Sequence, residues 1–174
     1  MVDLLRNLHI RDARVEDAPH LAEAQRAIAR IPGRLASIPS ELKDELFRER
    51  IVRLSGSECG QFIVIEADGA VVGHAMLDPL KLAVTAHVVD LTIAVHEGFQ
   101  GMGLGQRLLS HLIDWARANP KIERIELRVR SANTSAIALY KKLGFAEEGR
   151  MIKRLKLGPG SYLDDLVMGL WVGA

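Results

Sequence analysis

Three glycines at alternate positions stand directly before an amphipathic stretch of the chain, in Gln100-Gly101-Met102-Gly103-Leu104-Gly105. Glycine lets the backbone N–H groups of a short turn point toward one centre. A following helix adds its own unpaired N–H groups and the positive end of its dipole. Such a turn binds phosphate or pyrophosphate, so this segment is the first candidate for ligand binding.

Two common phosphate-binding motifs do not fit this segment. A P-loop requires a lysine directly after its last glycine, and no lysine follows Gly103 or Gly105. The dinucleotide motif of Rossmann folds follows the first strand and spaces its glycines differently. The phosphate ligand therefore stays open at this point, and a glycine turn that serves only the shape of the chain is the alternative.

Asn133 and Tyr140 are the second candidate pair, seven residues apart in a stretch with helical periodicity. Seven steps of 100° return to nearly the same helix face, so both side chains can contact one ligand. Asn133 is also a good residue to cap the helix, and that role is compatible with ligand binding. Taken alone, Tyr140 fits an aromatic core residue better than a reactive one.

The elements that must position these residues follow from hydrophobic periodicity and turn signals. Alternation predicts strands at 8–13, 61–67, 70–77, 86–95, 122–129, 145–157 and 162–172. Apolar residues at helical spacing predict helices at 17–30, 41–54, 104–118 and 135–143, the second of them capped by Ser40. Asp68-Gly69 predicts a type I′ hairpin turn.

This order predicts an α/β protein with a central mixed, mostly antiparallel sheet of about seven strands. About four helices should lie on both faces of the sheet. The length of 174 residues is typical of a single domain, so we expect one domain over 1–174.

Composition and charge lower the rank of several functional classes. Lys and Arg number 23 against 22 Asp and Glu, so the basic excess of a nucleic-acid-binding protein is missing. No apolar run approaches a membrane span, and the first residues lack the pattern of a secretion signal. The single cysteine, Cys59, cannot form an internal disulfide, which favours a cytoplasmic protein. The six histidines lack metal-ligand spacing, so we expect no metal.

Two long segments resemble the GNAT acetyltransferase superfamily. Residues 90–109 resemble its acyl-CoA-binding core, whose pattern Arg/Gln-x-x-Gly-x-Gly/Ala is filled by Gln100, Gly103 and Gly105. Residues 133–145 resemble its signature Asn-x-x-Ala-x-x-Leu-Tyr-x-Lys-x-Gly-Phe. The predicted order of elements agrees with the GNAT fold, so the resemblance covers nearly the whole chain. One departure is Arg14, where relatives often have a Thr or Ser helix cap.

The resemblance implies acetyl-CoA as cosubstrate and assigns its contacts. The strand end would pair with the pantetheine arm through Ile93, Ala94 and Val95, and Asn133 would hydrogen-bond to it. In relatives a splay between this strand and the next makes the acetyl slot, which one sequence does not reveal. The pyrophosphate would be bound by the glycine turn and the first helical turn, at Gln100, Gly101, Met102, Gly103, Leu104, Gly105 and Gln106.

The same resemblance assigns the acid and base. Tyr140 is the family's usual general acid, and a phenol is protonated at neutral pH and able to protonate a thiolate. An acceptor amine must also lose a proton. Asp90 matches the acidic position of many relatives and is our first candidate base, with Glu126 second. Each carboxylate can equally serve in a salt bridge.

The last residues and one loop suggest the acceptor. Residues 160–168 resemble the Gly-x-Tyr-x-Asp-x-x-x-Met ending of GNAT members that act on amino acids, small amines or ribosomal-protein N-termini. Tyr162 and Asp164 would line the acceptor side together, although a plain hairpin is the alternative. Arg34 and Ser37 lie in a positively charged loop that would suit a carboxylate-bearing acceptor.

These assignments predict an acetyl-CoA-dependent N-acetyltransferase that acts on a primary amine of a small molecule or amino acid, by direct attack in a ternary complex. The alternatives are a protein N-terminal or lysine acetyltransferase and a non-catalytic CoA-binding module. A homodimer through the C-terminal strands is expected by resemblance. The apolar residues there can equally be core; they are Leu166, Val167, Leu170, Trp171 and Val172.

Overall fold

A computed structural model describes residues 7–173, and a seven-stranded sheet runs through them in the order β1-β2-β3-β4-β5-β7-β6. The strands are β1 (His9–Asp12), β2 (Gln61–Ala67), β3 (Ala70–Pro79), β4 (Val88–Val95), β5 (Arg124–Arg130), β6 (Ala146–Gly158) and β7 (Ser161–Trp171). β4 and β5 pair in parallel, and the other neighbouring strands pair antiparallel. The predicted mixed sheet is therefore confirmed.

Helices cover both faces of the sheet, as predicted. They are α1 (Ala18–Ala29), α2 (Asp44–Ser55), α3 (Leu104–Ala118) and α4 (Thr134–Lys142). Alternation along β2 shows the two layers, because Ile63 and Ile65 belong to the core under α3 and α4, whereas Phe62 and Val64 belong to the core under α1 and α2. Burying both faces explains why the central strands are nearly continuous apolar runs.

Local sequence signals place several elements correctly. Asp68 and Gly69 have φ of 48° and 83°, as a type I′ turn between β2 and β3 requires. α3 covers Leu104–Ala118 as its apolar spacing predicts, and it buries Leu108 and Leu112 completely.

The start of α2 was predicted wrongly. Ser40 lies in a 3₁₀ turn over Pro39–Glu41, and the helix begins at Asp44 with Lys43 as its N-cap. A carboxylate oxygen of Glu41 accepts the backbone N–H of Ile38 at 2.9 Å, and this closes the turn separately from the helix.

The absence of a Thr or Ser cap at Arg14 is compensated by Asp17. The backbone N–H of Arg14 donates to the Asp17 carboxylate at 2.7 Å, and Arg11 donates to both oxygens of that carboxylate at 2.7 and 2.9 Å. The chain therefore enters α1 through a 3₁₀ turn, Val15–Asp17, held by a carboxylate.

Much of the apolar C-terminal strand is core. Leu166, Met168 and Leu170 of β7 are buried under α3 and α4, whereas Trp171 is 56% exposed. The homodimer stays a prediction, to be checked by the mass of the protein in solution. No helix within residues 7–173 is long and apolar enough to cross a membrane.

Candidate active site

The parallel strands β4 and β5 separate after three paired residues. Their pairing runs from Val88 with Arg124 to Asp90 with Glu126. Beyond that point β4 continues beside β3 to Val95, and β5 continues beside β7 to Arg130. The edge of β4 that faces β5 is therefore without a strand partner over residues 91–95 of the described chain, and an extended ligand can pair with it.

The glycine turn follows the open end of β4. Gly101 and Gly103 have φ of 76° and 78°, a left-handed conformation that favours glycine, and a Cβ on either would meet open space. The carboxamide of Gln100 donates to the carbonyl of Val95 at 3.3 Å and ties the turn to the strand. A Cβ on Gly105 would lie 3.4 Å from the side chain of Leu139, which places the first turn of α3 in contact with α4.

The turn presents a set of unused hydrogen-bond donors. Within residues 7–173, the backbone N–H groups of residues 100–106 donate to no protein acceptor. The next N–H group along the chain, that of Arg107, donates to the carbonyl of Gly103 at 3.1 Å. These amides lie at the N-terminal end of α3, where the helix dipole favours an anion. The arrangement fits a pyrophosphate, and Lys142 steadies it by donating to the Gln106 side chain at 3.0 Å.

Asn133 is the N-cap of α4 and Tyr140 lies within that helix, near the end of β5 at Arg130. The Asn133 side chain caps the helix by accepting the backbone N–H of Ala136 at 3.3 Å. The Tyr140 ring is buried against Phe145, with ring centroids 5.8 Å apart. Burial raises the pKa of Tyr140 to about 12, and the nearby charge of Arg130 opposes this rise. The phenol is therefore protonated throughout the neutral range and can donate a proton.

Asp90 occupies the last paired position of β4 on the face of the sheet that carries α1 and α2. Its side chain is half-buried, and among the described residues it forms no hydrogen bond or ion pair. Burial raises the pKa of Asp90 above its ordinary value; the charges of Asp78 and Glu126 act in the same direction, and Arg128 opposes them. A carboxylate of this kind is a stronger base than an exposed one.

Two other carboxylates beside Asp90 are already paired. Asp78 lies across from Asp90 on β3 and accepts two hydrogen bonds from the Arg53 guanidinium, each 2.7 Å long. Glu126 accepts one from Nε of Arg124 at 2.9 Å. Asp90 is therefore the carboxylate of the three that is free to accept a proton.

A cavity of about 450 Å³ opens above these carboxylates. Its lining combines acidic, basic and apolar side chains from the five strands β3 to β7 and the loop after β3: Asp78, Pro79, Leu80, Lys81, Asp90, Glu126, Leu127, Arg128, Met151 and Val167. Sequence reasoning missed Lys81 and Arg128. The period-two alternation of β5 was a usable signal, because it puts Arg128 on the same face as Glu126.

Tyr162 and Asp164 lie away from Asp90. In β7, Asp165 and Val167 pair with Arg130 and Arg128 and share the cavity face, so the alternate residues Tyr162 and Asp164 point to the other face. Asp164 accepts the backbone N–H of Lys153 at 2.6 Å and a hydrogen bond from Arg150 at 2.7 Å. Lys153 has φ of 54° and lies in a bulge of β6, so these hydrogen bonds to Asp164 hold the bulge in place.

The loop with Arg34 and Ser37 packs on the β6–β7 hairpin. A Cβ on Gly33 would lie 3.0 Å from the side chain of Leu163, so the loop rests directly on that strand. Arg34 is exposed and Ser37 is half-buried, and the structure places neither in the lining of the cavity.

A buried chain of polar side chains joins α1 to the start of the glycine turn. Nδ1 of His96 donates to the carbonyl of Val71 at 3.1 Å. The other ring nitrogen of His96, Nε2, lies 3.0 Å from Nδ1 of His74. Nε2 of His74 in turn lies 2.9 Å from the Gln25 amide nitrogen. These contacts require both imidazoles to be neutral, with the Nδ1 hydrogen on each.

This geometry agrees with a comparison of the chain with known proteins. The sequence profile of the acetyltransferase (GNAT) family matches residues 22–145. The chain belongs to the GNAT family of acetyltransferases. As a member it is an acyltransferase, and its GNAT fold carries the turn and the splayed strands described above.

Relatives and a solved structure extend this assignment. The L-amino acid N-acetyltransferase AaaT of Escherichia coli is 33% identical over 125 residues, which is 72% of this chain and 75% of AaaT. An N-alpha-acetyltransferase of Sulfurisphaera tokodaii is 32% identical over 148 residues, which is 79% of this chain and 80% of that protein. The yncA structure of Salmonella typhimurium, solved with its cofactor acetyl-CoA, has a TM-score of 0.79 at 25% identity and covers 97% of this chain and 95% of its own.

No group of three or more His, Cys, Asp or Glu side chains in residues 7–173 of this GNAT protein is placed to hold a metal ion.

Proposed function

We propose that this GNAT protein transfers the acetyl group of acetyl-CoA to a primary amine of a small molecule or an amino acid, by direct attack in a ternary complex. The observation that carries the proposal is the free carboxylate of Asp90 at the base of the splay, facing the cavity. The glycine turn, which would bind the pyrophosphate, follows the other end of β4, after Val95. A pantetheine arm paired along 91–95 would therefore extend from the turn toward Asp90.

Each end of the cosubstrate has partners in this chain. The amides of residues 100–106 would bind the pyrophosphate, and the free edge of β4 at Ile93, Ala94 and Val95 would pair with pantetheine. The carboxamide N–H₂ of Asn133 stays available because its oxygen is the atom that caps α4. The solved relative that contains acetyl-CoA supports this use of the fold.

The reaction needs one base and one acid. The amine nitrogen attacks the thioester carbonyl carbon, a C–N bond forms, and the amine proton passes to the Asp90 carboxylate, directly or through water. As the tetrahedral intermediate collapses, the C–S bond breaks and the thiolate sulfur takes a proton from the Tyr140 hydroxyl. Within the described chain that hydroxyl forms no hydrogen bond, so it is available for this step.

A protein N-terminus is the second candidate acceptor. The Sulfurisphaera tokodaii relative is an N-alpha-acetyltransferase, and it aligns with this chain over as much length as AaaT does. Both candidates present a primary amine, so both use the same acid and base.

Thermal unfolding with acetyl-CoA, CoA, NAD or ATP tests the cosubstrate first. A ligand at about 100 times its Kd stabilises a protein by about 2.7 kcal/mol, which is a clear increase in Tm. We expect an increase with acetyl-CoA and CoA only. An increase with NAD or ATP alone would contradict the assignment of residues 100–106.

Acetyl transfer is then measured as CoA thiol released with a panel of amines, amino acids and peptides. Release that depends on both substrates supports the transferase. Tight CoA binding without transfer to any amine would instead support a CoA-binding module.

A further inference from the structure

The cavity beside Asp90 contains two cations without partners. Among the described residues, neither Arg128 nor Lys81 forms an ion pair or a side-chain hydrogen bond, although both line the cavity. Three other arginines near this site are paired: Arg53 with Asp78, Arg124 with Glu126, and Arg130 with Asp165.

The placement of Arg128 relative to Asp90 is fixed by strand register. Asp90 pairs with Glu126, and Arg128 is two residues further along β5 on the same face, about 7 Å away along the strand. The guanidinium is close enough for its charge to act on the Asp90 carboxylate. An amine at Asp90 and an anionic group at Arg128 can therefore belong to one small molecule.

Charge complementarity then specifies the acceptor. One free carboxylate and two free cations in one cavity match a molecule with an amine and a nearby anion. Guanidinium binds a carboxylate through two parallel hydrogen bonds, and lysine adds a mobile second charge. A free amino acid has this carboxylate next to its amine, whereas a peptide N-terminus has a neutral amide there.

We propose that Arg128, with Lys81, binds the carboxylate of the acceptor and so selects a free amino acid over a protein N-terminus. The inference rests on the proposed acetyl transfer and assigns the carboxylate to this cavity instead of the loop at Arg34.

Two measurements test it. The first compares kcat and KM for an amino acid, its carboxamide and a peptide that begins with the same residue. We expect the carboxamide and the peptide to raise KM about 10- to 100-fold with a smaller change in kcat, because a charge-assisted hydrogen bond is lost. In Arg128→Gln the amino acid should lose that advantage, and Arg128→Lys should keep part of it.

The control is Arg117→Gln, which removes the same charge from the exposed C-terminal turn of α3, on another part of the molecule. It should leave the preference for the free acid unchanged. Equal kcat/KM for the acid, the carboxamide and the peptide in the unmodified protein would overturn the inference while leaving the transferase intact.

The second measurement needs no turnover. Calorimetry of the protein saturated with CoA gives the Kd of the amino acid directly, and Arg128→Gln should weaken it about 10-fold or more. An unchanged Kd would overturn the carboxylate site. Absence of acetyl transfer together with normal, Arg128-dependent binding would instead contradict the proposed function.

Discussion

Asp90 and Glu126 face each other at the last paired position between β4 and β5, yet their carboxylates differ in availability. Glu126 accepts a hydrogen bond from Arg124 at 2.9 Å, whereas Asp90 has no partner in the described chain. From the sequence, Asp90 was the first candidate base and Glu126 the second, and a salt-bridge role stayed open for both. The difference in pairing favours Asp90 and leads to the first prediction.

Asp90→Asn should lower kcat/KM about 100-fold or more, because general base catalysis contributes factors of that size. Glu126→Gln is the matched control and should lower it much less. CoA thiol release at saturating acetyl-CoA gives both values. Equal losses in the two variants would contradict the assignment of Asp90.

The pH profile gives a second test of the same residue. Since burial raises the pKa of Asp90, activity should fall on the acid side through an apparent pKa above that of an ordinary aspartate. This acid limb should disappear in Asp90→Asn. The variant should also have a higher Tm at neutral pH, because the folded protein then no longer buries an unpaired charge.

Tyr140→Phe should lower kcat about 10- to 1,000-fold and leave the Kd of acetyl-CoA nearly unchanged, since the hydroxyl acts only when the thiolate leaves. A pKa of about 12 also predicts no loss of activity from phenol ionisation below pH ~10. Rapid mixing separates the chemical step from product release. Unchanged kcat in the variant would mean that another group protonates the thiolate.

Gly103→Ala should weaken acetyl-CoA binding about 10-fold, because alanine disfavours the φ of 78° that directs the turn amides. Gly69→Ala is a matched control. Gly69 has φ of 83°, and a Cβ there also meets open space, but it lies in the β2–β3 hairpin. Both variants should lose similar stability, and only Gly103→Ala should change the Kd.

Buried histidines predict acid sensitivity. Burial lowers the pKa of His74 to about 3 and that of His96 to about 4, from 6.5 in the unfolded chain. Between the pKa of each histidine in the folded protein and 6.5, the unfolded chain binds more protons than the folded protein. The free energy of unfolding therefore rises with pH in this range. The stability is fully present above about pH 6.5 and is lost as the pH falls toward 4, by at most about 1.4 kcal/mol per pH unit for each histidine.

Urea unfolding from pH 4 to 7 measures this slope. His74→Gln should reduce it, because glutamine does not titrate, whereas substitution of the exposed His111 by glutamine should leave it unchanged. A slope that is the same in all three proteins would show that other groups set the acid limit.

Elements with strong local signals were predictable from sequence. Asp68-Gly69 requires positive φ at both positions, and α3 repeats its apolar residues at helical spacing, so neither needs information from elsewhere in the chain. The order of such elements along the chain was enough to predict the mixed sheet. The two long motifs, residues 90–109 and 133–145, identified the GNAT family. The error at Ser40 arose because a 3₁₀ turn and a helix N-terminus use the same residue types.

The sequence by itself determined the family, the order of elements and the glycine turn, since these depend on residues close together in the chain. Tertiary structure decided three further points: where β4 and β5 part, which carboxylate stays free, and which face of β7 carries Tyr162 and Asp164. Each depends on the register between strands far apart in sequence. A shift of one residue moves every side chain to the opposite face, so only the assembled sheet fixes which residues meet.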